Sequence, residues 1–187
     1  MKHLKSIITL IILTFTLASC STDDDGGSNN VSEENLIGTW SLTSSTEENS
    51  FSGDVQGTEF NAEITSTGSN FDLNIIFSDD NVVLANGSYD ITIVSDFDGE
   101  VTTESDTITV NNAEGEWALE GDQLTLTGEP ATTTGDLEII GAASASIFTI
   151  TTLNETTLTL RLEGDQDLGV EGLSSMINVV QTYTRVN

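Results

Sequence analysis

The clearest pattern in this sequence is an alternation of apolar and polar residues over short runs. Residues 71–77 read Phe-Asp-Leu-Asn-Ile-Ile-Phe, with an apolar residue at every second position. This spacing places alternate side chains on one face of a β-strand. The polar segment 78–81 then predicts a turn, and the apolar run 82–84 predicts the returning strand of a hairpin.

Similar runs, rich in Thr, Ile, Val and Leu, fill most of the chain after residue 36 and are separated by Gly, Asn and Asp clusters. We count about eight to ten strands joined mostly by short turns. Short connections favour antiparallel neighbours, and such a meander can close into an all-β, up-and-down barrel. The other predicted strands are Leu36–Leu42, Phe60–Ile64, Tyr89–Val94, Val101–Val110, Trp117–Leu119, Leu124–Leu126, Leu137–Ile140, Phe148–Ile150, Leu158–Leu162 and about Ile177–Val186.

Several local signals interrupt the strand pattern. Asn86-Gly87 predicts a turn before the strand that contains Tyr89, and Gly121-Asp122 predicts a hairpin turn. Ser32–Asn35 is typical of a single helical turn with Ser32 as its N-cap. The stretch Gly169–Asn178 is assigned to a short helix.

The N-terminus has the three parts of an export signal. Lys2 and Lys5 are followed by the apolar run Ser6–Leu17, whose length of about a dozen residues suits a signal peptide. A membrane-spanning helix needs about 20 apolar residues. Leu17-Ala18-Ser19-Cys20 resembles the bacterial lipobox, so residues 1–19 are predicted to be removed and Cys20 to carry lipid. The alternative is a secreted protein with an incidental cysteine.

Residues 20–32 are almost free of apolar side chains and are predicted to form an acidic tether, ahead of a folded domain at 33–187. Asp23-Asp24-Asp25 resembles the surface-export signal of lipoproteins in Bacteroidetes-type bacteria. We therefore expect an outer-membrane lipoprotein, held to the membrane through Cys20. Whether it lies on the external or the periplasmic face stays open.

The charge balance limits the chemistry of the mature chain. The sequence has 31 acidic and 4 basic residues, with a formal net charge of −27, and one histidine. His3 and both lysines leave with the signal, so only Arg161 and Arg185 remain as basic residues. Catalysis that needs imidazole or a lysine amine is then excluded, and so is a nucleic-acid partner, since phosphate binding needs basic residues. With one cysteine there is no intrachain disulfide. We predict no enzymatic activity and no cofactor.

Four short segments carry a resemblance to a known family. Leu36-Ile37-Gly38-Thr39-Trp40 resembles the Gly-x-Trp opening of lipocalins. Gly115–Leu119 with Gly121–Leu126 resembles a later hairpin of lipocalin-like lipoproteins from Bacteroidetes-type bacteria, and the ending Tyr183–Val186 fits the same pattern. The resemblance extends from Leu36 to Val186 and implies a lipocalin-like barrel with an interior site.

The resemblance also implies how one barrel end closes. In lipocalins an arginine on the last strand packs over the tryptophan of the first strand. Arg185 would thus lie over Trp40 as a cation–π contact, with Gly38, Trp40 and Arg185 closing the barrel. Trp40 and Trp117 are interpreted as core residues rather than ligand platforms, and Arg161 is expected to be exposed.

Two hypotheses about function remain. In the first, the barrel binds a small apolar or amphipathic ligand in its interior. In the second, the barrel is filled by its own side chains and the acidic surface meets a glycan or another envelope component. No ligand-binding residue is singled out by the sequence, and protein partners are unknown.

Two acidic clusters suggest weak calcium binding, because carboxylates are ligands that hard cations prefer. They are Asp96–Glu100 and Asp165–Asp167, and neither has the spacing of an EF-hand loop. No metal site is assigned.

Overall fold

The computed structural model describes residues 31–55, 58–128, 146–166 and 173–186. Within these ranges a short helix precedes eight antiparallel strands, each paired with its neighbours in sequence, and the last pairs with the first. The predicted all-β, up-and-down barrel is therefore confirmed. The elements are α1 (Glu33–Leu36), β1 (Gly38–Val55), β2 (Thr58–Phe77), β3 (Val82–Phe97), β4 (Glu100–Glu120), β5 (Gln123–Gly128), β6 (Ser146–Leu153), β7 (Thr157–Gln166) and β8 (Leu173–Val186).

The strand order gives the barrel two different ends. The helix end holds α1 and the connections at 78–81, 121–122 and 154–156, and the far end holds the turn at 98–99. The strands differ in length: β4 has 21 residues, whereas β5 has 6. In the described part of the chain, residues 100–113 of β4 pair only with β3, because the ladder to β5 begins at Gly115.

The predicted helical turn is present, with Ser32 at its N-cap. The Ser32 side chain accepts a hydrogen bond from the Asn35 backbone N–H at 3.4 Å, and the acidic Glu33 and Glu34 lie in the first turn, where the helix dipole favours negative charge. Leu36 was predicted to open the first strand but ends this helix, because its N–H bonds to the Ser32 carbonyl at 3.1 Å. β1 begins two residues later.

The long strands join runs that the sequence predicts as separate. β2 contains both Phe60–Ile64 and the run at 71–77, and the ladder to β3 shifts register between Ser69 and Asp72. Asn70 has a φ of 50° there, and its side-chain amide donates to Asp90 Oδ2 at 2.7 Å. A β-bulge of this kind moves the apolar alternation by one position without ending the strand.

The predicted turn at Asn86-Gly87 is wrong, because both residues lie inside β3. On one side they lie next to the β2 bulge. On the other side the ladder to β4 also shifts register, and the bulged residue there is Asn112, with a φ of 47°. Gly87 has a φ of 127°, and a Cβ atom there would be 1.8 Å from the Asp72 carbonyl oxygen. Glycine occurs in turns, but it is also favoured where two backbones pack closely, and the second reason applies to Gly87.

The short helix predicted for Gly169–Asn178 is wrong for the part of that range that the structure describes. Residues 173–178 belong to β8, and Ile177 pairs with Asn49 of β1 and Gly164 of β7. The signal, Cys20, most of the tether and the run Leu137–Ile140 lie outside the described residues.

The β4–β5 hairpin has the predicted register, with Trp117 opposite Leu126 and Leu119 opposite Leu124. The main core lies at the helix end, where each large apolar side chain removed from water stabilises the fold by about 1.5–3 kcal/mol. Both tryptophans belong to it, as predicted, and Trp117 meets Phe77 edge-on with ring centroids 5.9 Å apart. No helix among the described residues is long and apolar enough to cross a membrane. The largest fully buried side chains are Trp40, Phe77, Leu36, Leu42, Leu124, Ile150, Leu158 and Leu160.

Candidate functional site

Three sequence-predicted residues meet at the helix end. The guanidinium carbon of Arg185 lies 4.2 Å from the centroid of the Trp40 ring. The Arg185 Nη1 donates to the Ile37 carbonyl at 2.8 Å, and its Nη2 donates to the Asn35 carbonyl. The Trp40 indole N–H in turn donates to the Leu36 carbonyl at 2.8 Å. The last strand is thus fastened to the helix that precedes the first strand.

Gly38 makes room for this contact. It has a φ of 138°, and a Cβ atom there would lie 2.6 Å from Arg185 Nη1. The structure therefore brings Gly38, Trp40 and Arg185 together in the arrangement that the resemblance implies. Because the Arg185 donors are engaged by backbone carbonyls, this cluster has a structural character.

Trp117 fastens the other side of the helix end. Its indole N–H donates to the Ser78 carbonyl at 3.1 Å, and its backbone N–H donates to the Asn81 carbonyl at 2.9 Å. Asn81 returns a side-chain hydrogen bond to the Trp117 carbonyl at 3.2 Å. Two indole rings, each held by polar bonds to a neighbouring loop, seal this end against solvent.

Along β1 and β7 the inward side chains become less buried with distance from the helix end. On the inward face of β1, Trp40 is 0% exposed, Leu42 1% and Ser45 8%, whereas Glu47 and Asn49 are only half-buried. We assign both to the inward face because the residues that alternate with them, such as Glu48, are exposed. β7 shows the same gradient, from the buried Leu158 and Leu160 to half-buried positions at 162 and 164.

Gly164 leaves one inward position of β7 without a side chain. It is in phase with Leu158 and Leu160 on the inward face of β7, opposite Ile177 of β8. Among the described residues, and apart from its two chain neighbours, a Cβ atom at this glycine would have no atom within 4 Å. An eight-stranded barrel either fills with its own side chains or holds one small ligand, and this position favours the second state.

A group of polar side chains lies where the buried core gives way to the accessible interior. This interior polar cluster consists of Ser45, Glu47, Tyr89, Gln181 and Tyr183. Strand register places Ser45 opposite Gln181 and Leu42 opposite Tyr183. The Tyr183 hydroxyl donates to Gln181 Oε1 at 2.9 Å. Asn49 extends the cluster, since its amide donates to Glu47 Oε1 at 2.6 Å.

The two phenols of the cluster are shifted toward their neutral form. Burial raises the pKa of Tyr89, a hydrogen bond with Ser45 lowers it, and the negative charge of Glu47 raises it further. Burial also raises the pKa of Tyr183, and Tyr89 adds to that effect. Both hydroxyls therefore stay protonated at neutral pH and can donate hydrogen bonds to a neighbour.

An aromatic surface adjoins the cluster. The rings of Phe71 and Tyr89 stack with centroids 5.8 Å apart and an interplanar angle of 28°. Gly68 provides space for this pair, because a Cβ atom there would be 2.7 Å from the Phe71 ring. The interior thus combines a carboxylate, two phenols and a phenylalanine face.

None of the five cluster residues was predicted as a site. Ser45 and Glu47 lie in the wholly polar run 43–49, Thr-Ser-Ser-Thr-Glu-Glu-Asn, which has no apolar alternation to mark an inward face. The β1–β8 ladder also shifts register between Leu42 and Ser44, which changes the inward phase. Only the pairing with β8 identifies the side that faces inward.

Positive charge lies elsewhere in the described ranges. Arg161 is on the outer face of β7, where its side chain is 42% exposed, bridges to Glu163 at 2.9 Å and donates to Asn178 Oδ1 at 3.1 Å. Arg185 is held at the helix end. Within the part of the chain that the structure describes, neither arginine faces the accessible interior.

The acidic clusters show no arrangement for calcium in the described ranges. No three His, Cys, Asp or Glu side chains there lie close enough together to hold a metal ion. In the turn at 98–99, Asp96 Oδ1 accepts a hydrogen bond from the Gly99 N–H at 2.8 Å, and Asp98 Oδ1 accepts one from the Asn61 N–H at 3.4 Å. These carboxylates thus bind backbone. Asp167 lies outside the described residues.

One comparison with known proteins, a match to a family model, agrees with the architecture. A family model described as a lipocalin-like domain matches residues 36–160. No curated protein gives a significant match. Among solved structures, the S-type phycobiliprotein lyase CPES from Guillardia theta is similar at 14% sequence identity and a TM-score of 0.26, over 83% of this chain and 90% of that chain.

Proposed function

The chain belongs to the lipocalin-like domain family, and from that membership we propose that its barrel binds a small apolar or amphipathic ligand while lipid on Cys20 holds it in the cell envelope. The observation that carries the binding proposal is the exposure gradient of the inward side chains. Along β1 and β7 they change from buried at the helix end to half-buried beyond Ser45 and Leu160. The inward side chains of Ala62 and Ser175, which pair with Phe51 nearer the far end, are buried again, so the less buried positions lie between two covered levels of the barrel.

The proposal is a binding function rather than catalysis. Its support is the composition, because His3 and both lysines precede Cys20 and would be lost with the signal. The interior polar cluster then orients a ligand, in the way that a few polar groups do in otherwise apolar sites.

The intact native mass of the lipidated protein, purified gently from bacterial membranes, tests the binding proposal. We expect an organic adduct that leaves on unfolding. Gly164→Phe fills the interior and should remove the adduct. Asp165→Phe, which places the same ring on the exposed outer face of the same strand, should keep it. A wild-type protein that carries no organic adduct overturns the binding proposal and favours a filled barrel that acts through its acidic surface.

The anchoring proposal is supported by the signal pattern of residues 1–19 and by the single cysteine at its end. The mature protein would lie on the outer membrane, and Asp23–Asp25 favours the external face. Bacteria that express the full chain and are fed a labelled fatty acid should incorporate the label into the wild type and into Ser21→Ala. Cys20→Ala should lose both the label and the membrane fraction. Label retained in Cys20→Ala contradicts the proposal.

A further inference from the structure

We infer that the ligand of this barrel carries a cationic amine, and that Glu47 is the residue that receives it. The inference rests on the proposed binding function and adds the chemical class of the ligand to it. Glu47 follows Ser45 on the inward face of β1, at the level where buried inward side chains give way to half-buried ones.

The charge distribution excludes an anionic head group at this position. Apart from the signal region, the chain has only two basic residues, and Arg161 and Arg185 are held on the outer face and at the helix end. A carboxylate or phosphate inside the barrel would therefore meet Glu47 without a compensating cation. Like charges repel strongly where water is limited, because the effective dielectric constant is low.

The aromatic side chains favour a cation over a neutral polar group. The rings of Phe71 and Tyr89 stack on each other inside the barrel, and the negative faces of aromatic rings attract ammonium groups. Ser45, two residues before Glu47 on the same inward face, and the Phe71 ring both lie against Gly68, where a Cβ atom would be 3.2 Å from Ser45 Cβ and 2.7 Å from the ring. Carboxylate and aromatic faces together form the chemistry that recognises amines.

The depth of Glu47 indicates a ligand with an apolar body. Val55, at the end of β1, lies eight positions beyond Glu47, which corresponds to roughly 26 Å along the strand. The inward side chains along this length include Phe51, Ile64 and Ile177. An amine at Glu47 thus leaves its apolar part directed toward the far end.

Ser175 is a separate observation that favours a polar group on the ligand. It lies on the inward face of β8 opposite Phe51, is 3% exposed, and its hydroxyl is the buried side-chain group without a hydrogen-bond partner among the described residues. A buried hydroxyl without a partner costs free energy. A second polar group on the ligand, beyond the amine, would supply that hydrogen bond.

Three probes that differ only in the head group test the inference: dodecylamine, dodecanol and dodecanoate. The full lipidated protein in lipid nanodiscs is given each probe at the same free concentration, and native mass spectrometry counts the probe bound per protein. We expect the amine to bind best and the carboxylate worst, with a ratio of about 10-fold or more between them. The preference should persist at high ionic strength, where attraction to the acidic surface is screened.

Glu47→Gln keeps the shape of the side chain and removes its charge. We expect the amine preference to fall to within about 3-fold, with dodecanol binding unchanged. Glu48→Gln, the neighbouring outward residue, makes the same charge change and should retain the wild-type preference. Should Glu47→Gln fail to fold, the wild-type ranking at high ionic strength still decides.

The outcomes separate this inference from the proposed function. If no probe binds, both are overturned. If all three bind equally, if dodecanoate binds best, or if Glu47→Gln keeps the full preference, the barrel is a binding protein but the amine assignment is wrong.

Discussion

At the scale of single residues, Arg185 connects more of the molecule than any other side chain at the helix end. It meets the Trp40 ring and donates to two backbone carbonyls of the segment 35–37. Its planar guanidinium can make these contacts together, which a lysine ammonium cannot. Arg161, the other arginine in the described part, makes only an ion pair and one side-chain bond on an exposed face.

Arg185→Lys should therefore lower the free energy of unfolding by about 1–3 kcal/mol, since at least one buried carbonyl loses its donor. Arg161→Lys should change the free energy of unfolding by less than about 0.5 kcal/mol, because exposed ion pairs contribute little to stability. Urea denaturation of both variants checks the difference. If both variants lose the same unfolding free energy, the Arg185 contacts at the helix end do not stabilise the fold more than the exposed Arg161 contacts do.

Tyr183 should make stability depend on alkaline pH. Its folded-state pKa is raised above the unfolded value of 10.0 by burial, so the folded state binds the proton more tightly. The contribution is fully present below pH 10 and is lost as the pH rises above that value, because only the unfolded chain then gains by ionising. Tyr183→Phe should flatten the decline of the unfolding free energy above pH 10.

Tyr183→Phe should also lower the free energy of unfolding at neutral pH by about 1 kcal/mol, because it removes the hydrogen bond to Gln181. Tyr89→Phe, at the chain's other tyrosine, should flatten the decline less, since burial shifts Tyr89 less. Urea unfolding from pH 8 to pH 11 measures both effects. Parallel pH profiles for the wild type and Tyr183→Phe would contradict this account.

At the scale of elements, the bulges decide how the long strands run. Asn70 and Asn112 adopt positive φ angles on the two neighbours of β3, and Gly87 lies on β3 between them. The backbone of β2 approaches Gly87 so closely that no side chain fits there. One glycine thus permits two ladders to change phase at the same level of the barrel.

Gly87→Ala should lower the unfolding free energy by about 2–4 kcal/mol through strain and steric overlap. Gly164→Ala offers the matched control, because its added methyl group meets nothing within 4 Å, and should stay within about 0.5 kcal/mol of the wild type. Thermal and urea unfolding report both. A mild effect at Gly87 would show that β2 can move away at little cost.

The elements also show what a sequence can and cannot reveal. The hairpin at Gly121-Asp122 was predictable in register, since clean alternation flanks a short turn. The bulged strands appeared as separate short runs, because each bulge reverses the alternation. Residues 173–178 lack an alternation strong enough to mark a strand, and only their pairing with β1 and β7 makes them one.

At the scale of the whole molecule, the barrel class was predictable from the number of strands and the short connections, and the contact between Trp40 and Arg185 from the family resemblance. The interior polar cluster was not. Its members are polar residues in polar runs, or tyrosines that resemble ordinary strand residues. Their common position depends on pairing between β1 and β8, which no local pattern encodes.

The difference in burial between the helix end and the exposed part of β4 should appear in the rates of backbone hydrogen exchange. Amides around Leu158 and Leu160 lie in the buried helix end, whereas residues 102–105 of β4 are exposed on both faces and pair only with β3 in the described part. We expect exchange at the latter to be faster by roughly 100-fold or more. Uniform protection along β4 would contradict the gradient.

The ladder between β1 and β8 also has a consequence for how the chain folds. It joins Trp40 to Arg185, so ring closure requires contact between segments at opposite ends of the domain. Contacts between such distant segments cost much loop entropy and make folding slow, on the scale of milliseconds to seconds. The seven sequential hairpin ladders can form as the chain becomes available, but the ring cannot. A chain that emerges from its N-terminus stays an open, curved sheet until β8 arrives.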